Sequence, residues 1–214
     1  MRIALIISLT FLGAADDKAP LNRTRDREVD IQHMKIDVTV DLKAESVYGY
    51  VIHTFSPLSA SLKSFSLDAE DMTIRRVRHK DKDIFFDHSG DKLYITLDNE
   101  IGWNDTLNVR IDYTSFPRVG AFFVSPDKTY PDKPWQAWTQ GEDTDNHHWV
   151  PMYDYPNERN TFEILLTVDK KFKAVSNGEL ISVKSNSDGT HTWHWHEHFP
   201  MVGYLMSFVV GEYV

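Results

Sequence analysis

From Met34 to Leu42 every second residue is apolar: Met34, Ile36, Val38, Val40 and Leu42 alternate with Lys35, Asp37, Thr39 and Asp41. A period of two places the apolar set on one side of an extended chain. The stretch is therefore expected to be a strand with one dry face and one wet face. After a turn at 44–46, residues 47–55 read as the returning strand of a hairpin, and Pro57, which lacks an N–H, ends it. Residues 62–67, 72–78, 83–86, 93–97 and 106–113 continue as short β-type runs. Polar turns at 68–71, 88–91 and 99–104 separate them, and Lys80-Asp81-Lys82-Asp83 reads as a solvated hairpin tip. Residues 120–124 and 135–140 are further strand candidates, and Phe162, Ile164, Leu166 and Val168 alternate cleanly. Residues 172–175 and 180–183 flank Asn177-Gly178, a strong two-residue turn signal, and are expected to pair as a hairpin. Residues 191–199 and 204–213 close the chain as strands. No helical period stands out.

This pattern predicts an all-β fold, either a β-sandwich or an open, saddle-like set of sheets. Nothing recurs at a fixed spacing, which argues against a propeller or solenoid. A length of 214 residues allows one large β domain or two small ones. A formal net charge of −9 disfavours a nucleic-acid partner held through phosphates. With no cysteine, disulfides and cysteine-based zinc sites are excluded. At the N-terminus, Met1-Arg2, the mostly apolar 3–12 and the small residues Gly13-Ala14-Ala15 follow the plan of a secretory signal peptide. Residues 1–15 are read as that leader and 16–30 as a polar arm, with the β domain at 31–214. Export to the periplasm or the exterior is expected, with no transmembrane segment.

The regular idiom breaks at residues 138–156, W-T-Q-G-E-D-T-D-N-H-H-W-V-P-M-Y-D-Y-P. No period fits it, so it reads as an ordered loop, either a surface crossover stiffened by Pro151 and Pro156 or the place where a β scaffold carries function. Its Glu142, Asp143, Asp145 and Asn146 are a weak calcium candidate, because the glycine and terminal Glu of an EF-hand loop are missing. His147 and His148 are adjacent and are expected to point apart, which is poor geometry for joint ligation. His194, His196 and His198 share one face of a strand, with rungs about 6.6 Å apart. Zinc–nitrogen bonds are about 2 Å, so a wet histidine face, with Trp193 and Trp195 turned to the core, is the expected use. No glycine-rich phosphate loop, G-x-S-x-G or H-E-x-x-H occurs. Asn22 and Asn104 each begin a glycosylation sequon, of consequence only in a eukaryotic secretory host.

Thr139-Gln140-Gly141-Glu142, followed by Asp145, Pro151, Asp154 and Pro156, resembles the N-terminal domain of the aminopeptidase N family of zinc metallopeptidases. The family pattern, roughly T-Q-x-E-x-T-D-A-R-R-x-F-P-C-x-D-x-P, is met without a gap. The likeness continues through Arg159, Phe162, Ser176-Asn177-Gly178, Pro200-Met201, Tyr204-Leu205 and 208–213, spanning about residues 30–214. Asn146-His147-His148 replaces Ala-Arg-Arg, Met152 the usual Cys and Tyr155 the common Glu.

The resemblance implies a saddle of β-sheets that lays this loop against a following catalytic domain. It implies that Glu142 binds the α-ammonium of a peptide N-terminus and that Gln140 contacts its first residue. A carboxylate suits an ammonium group because the hydrogen bond is charge-assisted. The zinc ligands of such enzymes lie in the following domain. No cofactor or metal ligand is therefore expected in this chain, which should be inactive by itself. Two other readings stay open: a non-catalytic interaction scaffold, as in the transcription-factor subunits related to this family, and a secreted β-sandwich binding module using its tryptophans as ligand platforms.

Overall fold

The computed structural model describes residues 24–213. The leader expected at 1–15 and the first part of the arm lie outside the described residues. In chain order the strands are β1 (Val29–Asp41), β2 (Ser46–Pro57), β3 (Leu62–Asp68), β4 (Met72–His79), β5 (Lys82–Asp83), β6 (Phe85–Ser89), β7 (Lys92–Ile101) and β8 (Leu107–Ser115). They continue as β9 (Ala121–Val124), β10 (Gln136–Thr139), β11 (Arg159–Asp169), β12 (Lys173–Ser176), β13 (Glu179–Ser185), β14 (Thr190–Val202) and β15 (Phe208–Gly211). The helical content of the described residues is two short 3-10 turns, Asn146–His148 and Gly203–Leu205. The fold is all-β and built from three sheets, of eight, four and three strands. Among the described residues no helix is long and apolar enough to cross a membrane.

The alternation that opens the sequence becomes the centre of the largest sheet. Its order is β13-β14-β11-β1-β2-β8-β4-β5, with β1 antiparallel to β2 and parallel to β11. The register aligns Trp195, Ile164, Ile36, Val51, Ile111 and Val77 as one rung across six strands. From Ile164 to Val77 every member of that rung is buried. Burying an aliphatic side chain of this size stabilises by about 1.5–3 kcal/mol, so such rungs fix the register: a slip of one residue would turn all of them to water. The other face is wet and charged. There Lys35 and His194 donate to Glu163 at 2.9 and 2.6 Å, Tyr50 donates to Asp37 at 2.8 Å, and Arg110 lies over the Tyr50 ring at 3.5 Å.

The two smaller sheets close on the dry face. In the sheet β3-β7-β6, Phe65 meets Phe55 of β2 with ring centroids 4.7 Å apart. In the sheet β12-β15-β10-β9, the Ala174 carbonyl accepts the Trp195 indole N–H at 3.0 Å. One apolar cluster runs through all three sheets.

Two details depart from the sequence reading. The Asn177-Gly178 turn is present, with Gly178 at φ +84°, but β12 and β13 do not form a hairpin. β12 pairs with β15 and β13 with β14, so the turn carries the chain from one sheet to another. The cause is the turn's own bonding: Asn177 Oδ1 accepts the Ser207 N–H at 2.8 Å, its amide donates to Leu205 O at 3.1 Å, and Gly178 packs against the His196 carbonyl, where a Cβ would clash at 2.1 Å. The polar arm also ends earlier than expected. β1 starts at Val29, and Arg25 and Arg27 are paired with the buried carboxylates of Asp68 and Glu158.

His53 of β2 is buried in the dry face. Its Nε2–H donates to Pro151 O at 2.9 Å, while Nδ1 has no partner. Burial favours the neutral ring, and despite the Pro151 bond it lowers the pKa to about 4. Unfolded, the ring takes up its proton near 6.5, so as pH falls from 6.5 towards 4 the unfolded state binds a proton that the folded state refuses. Stability is thus lost as pH falls through that window, by up to about 3 kcal/mol at about 1.4 kcal/mol per pH unit. Urea unfolding across this range should show the loss in the native chain, and His53→Gln should flatten the profile by about that amount.

Candidate functional site

The segment that breaks the β pattern is not a surface crossover. Thr139 closes β10, and the chain then runs through a 3-10 turn over Asn146–His148 to an isolated bridge between Met152 and Asp68. Trp149, Val150 and Met152 are fully buried, with Trp149 edge-on to Phe208 at 5.1 Å. Ser115 Oγ donates to the Trp149 carbonyl at 3.4 Å, which together with the His53–Pro151 bond seats the segment on the dry face of the large sheet.

Asn146 is the internal pin. It is fully buried, its amide N–H groups donate to Gly203 O at 2.7 Å and Met206 O at 3.0 Å, and its Oδ1 accepts the Trp149 indole N–H at 2.7 Å. Two glycines make room. A Cβ on Gly141 would strike the Asn146 side chain at 2.4 Å, and one on Gly120 would strike Asp145 O at 1.9 Å. The sequence carried no signal for this role beyond an asparagine and two glycines in a loop.

That geometry removes the calcium candidate. The Asn146 side chain is consumed by protein bonds, Glu142 and Asp143 are exposed, and among the described residues neither belongs to a group of three acidic or imidazole ligands within 4.8 Å of one another. It also corrects the expectation for the neighbouring histidines. Because they sit in a 3-10 turn rather than in extended chain, the rings of His147 and His148 lie side by side, centroids 4.5 Å apart. Both face Glu70, in the turn between β3 and β4, with His147 Nε2 at 3.6 Å and His148 Nε2 at 3.9 Å from its carboxylate. Burial disfavours the His147 imidazolium, but the Asp154 carboxylate bonded to it, with Asp68 behind, outweighs burial and raises its pKa. Nothing in the sequence singled out Glu70.

Gln140 and Glu142 emerge at the rim of this anchored segment. Both are exposed, and among the described residues neither side chain has a hydrogen bond or ion pair. Their backbone is held: the Gln140 N–H donates to Gly120 O at 2.9 Å and the Asp145 N–H to Gly141 O at 2.9 Å. Two free polar side chains on a fixed backbone suit recognition of a small polar ligand. Beside them, Val119 and Phe122 are exposed on either side of Gly120, and Phe122 stacks on Trp138 at 5.8 Å. The histidines of β14 form no three-ligand cluster among the described residues, although His196 and His198 lie with ring centroids 4.0 Å apart. His194 sits on Glu163, His196 is also edge-on to His33, and His198 is exposed near Glu179. Of the tryptophans offered as ligand platforms, Trp149 is core and Trp193 and Trp195 pack against the core, whereas Trp103 is exposed.

Comparison with known proteins adds relatives to this geometry. The family model described as the peptidase M1 N-terminal domain matches residues 30–205. The chain is 28% identical over 192 residues to leukotriene A-4 hydrolase of Xenopus laevis, covering 85% of this chain and 31% of that protein. It is 22% identical over 191 residues to leucine aminopeptidase 2 of Vanderwaltozyma polyspora, covering 86% and 29%. Among solved structures, an M1 zinc metallopeptidase from Deinococcus radiodurans superposes with a TM-score of 0.76 at 19% identity, covering 88% of this chain and 43% of that one. The chain thus spans under a third of the two sequence relatives and under half of the solved structure.

Replacing Asn146 with Ala removes three buried hydrogen bonds and leaves their partners unsatisfied. A loss of about 3 kcal/mol is expected, measured by denaturant unfolding, whereas Gln140→Ala at the exposed rim should change stability by less than about 0.5 kcal/mol.

Proposed function

The chain belongs to the peptidase M1 N-terminal domain family, and we propose that in this protein the domain anchors the free N-terminus of a peptide for hydrolysis by a zinc-bearing domain of the same enzyme. The observation that carries this reading is the exposure of Gln140 and Glu142, unengaged by other described residues, on a segment held from beneath by Asn146. A carboxylate fixed in this way offers a charge-assisted hydrogen bond to an α-ammonium group. A peptide with a blocked N-terminus lacks that partner, which gives selectivity for free ends. Gln140, two residues away, supplies an amide for the backbone of the first peptide residue. The exposed Val119 and Phe122 beside Gly120 support docking of the zinc-bearing domain at this rim.

The chemistry of hydrolysis needs a group that polarises the carbonyl and one that activates water. In this family that task falls to zinc held by an H-E-x-x-H motif, which the 214 residues do not contain. Gln140 and Glu142 do not form a zinc site, since no further ligand converges on them among the described residues. What this chain supplies is therefore position and not bond cleavage. The leader-like residues 1–15 support export of the enzyme.

The purified chain should bind a free-amine dipeptide weakly, with a dissociation constant on the order of millimolar, detectable as NMR shifts around Glu142. Glu142→Gln should abolish those shifts, and the N-acetylated dipeptide should not produce them. Equal binding of the acetylated peptide would sink the anchoring role. Chelator-sensitive release of an amino acid from an aminoacyl reporter by this chain alone would overturn the division of labour.

A further inference from the structure

Within the carboxylates and imidazoles beneath the rim, we infer that Glu70, His147 and His148 form a binding site for a divalent transition-metal ion of the zinc type. Three features carry the inference. First, each imidazole is oriented by a carboxylate on its far nitrogen. His147 Nδ1 lies 3.1 Å from Asp154 Oδ2, and His148 Nδ1 lies 3.0 Å from Asp71 Oδ2. An ionised carboxylate only accepts, so both Nδ1 atoms carry the proton and the lone pairs of the neutral rings sit on Nε2. Carboxylate–histidine pairs of this kind are the usual backing of metal ligands, because they fix the tautomer and make the ring a stronger donor.

Second, the two Nε2 atoms and a Glu70 oxygen face one another without bonding. All three ligand atoms lie within 4.8 Å of one another, and the Glu70 oxygen is 3.6 and 3.9 Å from the two nitrogens. These gaps are too long for hydrogen bonds. Bonds of about 2.0–2.1 Å at tetrahedral angles would separate neighbouring ligand atoms by about 3.3 Å. Bringing the Glu70 oxygen to that spacing from both nitrogens needs shifts of about 0.3–0.6 Å, within reach of its half-exposed side chain. The two imidazoles, whose ligand atoms lie within 4.8 Å, must close on the ion as well.

Third, the backbone is fixed before any ion arrives. Glu70 N–H donates to His147 O at 3.1 Å, His147 N–H donates to Asp154 Oδ2 at 2.9 Å, and the Met152–Asp68 bridge holds the two chain segments in register. Two imidazoles and one carboxylate match zinc, cobalt and nickel in softness, and three protein ligands leave a coordination position for water. This proposal departs from the expectation that the chain holds no metal ligands. The inference rests on these residues alone and does not depend on the peptide-anchoring reading.

The test is a titration of the chelator-treated, purified chain with cobalt(II) in mildly alkaline buffer, followed by its visible ligand-field absorption and by displacement with zinc. One equivalent should bind with the intense bands of a four- or five-coordinate ion, and zinc should bleach them. Glu70→Gln changes an exposed residue and should leave the fold intact while weakening binding by about tenfold or more, and His148→Gln should do the same. A His194→Gln/His196→Gln variant should bind as the native chain does. Absence of the bands in the native chain, their persistence in a Glu70→Gln/His148→Gln double variant, or their loss in the His194→Gln/His196→Gln variant would each overturn the site.

Discussion

One buried carboxylate ties the N-terminal segment and the loop, which no strand ladder joins, to the paired strands β3 and β7. The Asp68 side chain, 6% exposed, receives Arg25 at 2.5 Å from the N-terminal segment, Lys92 from β7 and the Asp154 backbone N–H at 2.9 Å from the loop. Its backbone meanwhile pairs with Met152. Burial alone would push its proton affinity up, but these partners outweigh it and hold the carboxyl below its ordinary value. A charge removed from water is tolerated only when its oxygens are matched in this way. Matching requires that the arm, the three-stranded sheet and the loop arrive at one place, so the carboxylate acts as a register mark for tertiary assembly.

From that point the loop is built inward before it is built outward. Asp154, seated on Asp68, orients His147, while Asn146 binds the turn that precedes β15, and Trp149 fills the space against Phe208. Only after these buried bonds are satisfied does the chain reach its rim, where Gln140 and Glu142 face solvent. Rigidity at the base and free polar groups at the edge are two consequences of one packing arrangement. The same arrangement turns the Asn146–His148 segment, where the family pattern has Ala-Arg-Arg, into a pair of oriented imidazoles.

Much of the fold was legible because β structure writes its burial into a period of two. β1 and β11 could be read almost residue by residue, since their alternating apolar positions end up dry, with Leu165 on the wet face as the exception. Less legible was which strand meets which. The parallel pairing of β1 with β11 joins segments far apart in the chain, and Asn177-Gly178 marks a turn without stating where its flanking strands go. Gln140 and Glu142 were found through the resemblance of their motif to a family, not through their spacing. Glu70 could not be found at all, since an isolated glutamate in an acidic turn has no pattern to distinguish it.

The sequence by itself therefore determined the class of fold, the wet and dry faces of its strands, and the segment where regular structure stops. These are local properties, set by backbone geometry and by the preference of each side chain for water or oil. Only the tertiary structure decided that His147 and His148 face the same way, that Asn146 belongs to the core, and that Glu70 stands opposite the imidazoles. Each of those facts depends on a distant partner: Asp154 and Asp71 for the rings, the Gly203–Met206 turn for the amide, and the Asp68–Met152 bridge for the glutamate. Hydrogen bonds formed across the fold are directional and short-ranged, so their geometry exists only once the sheets have closed.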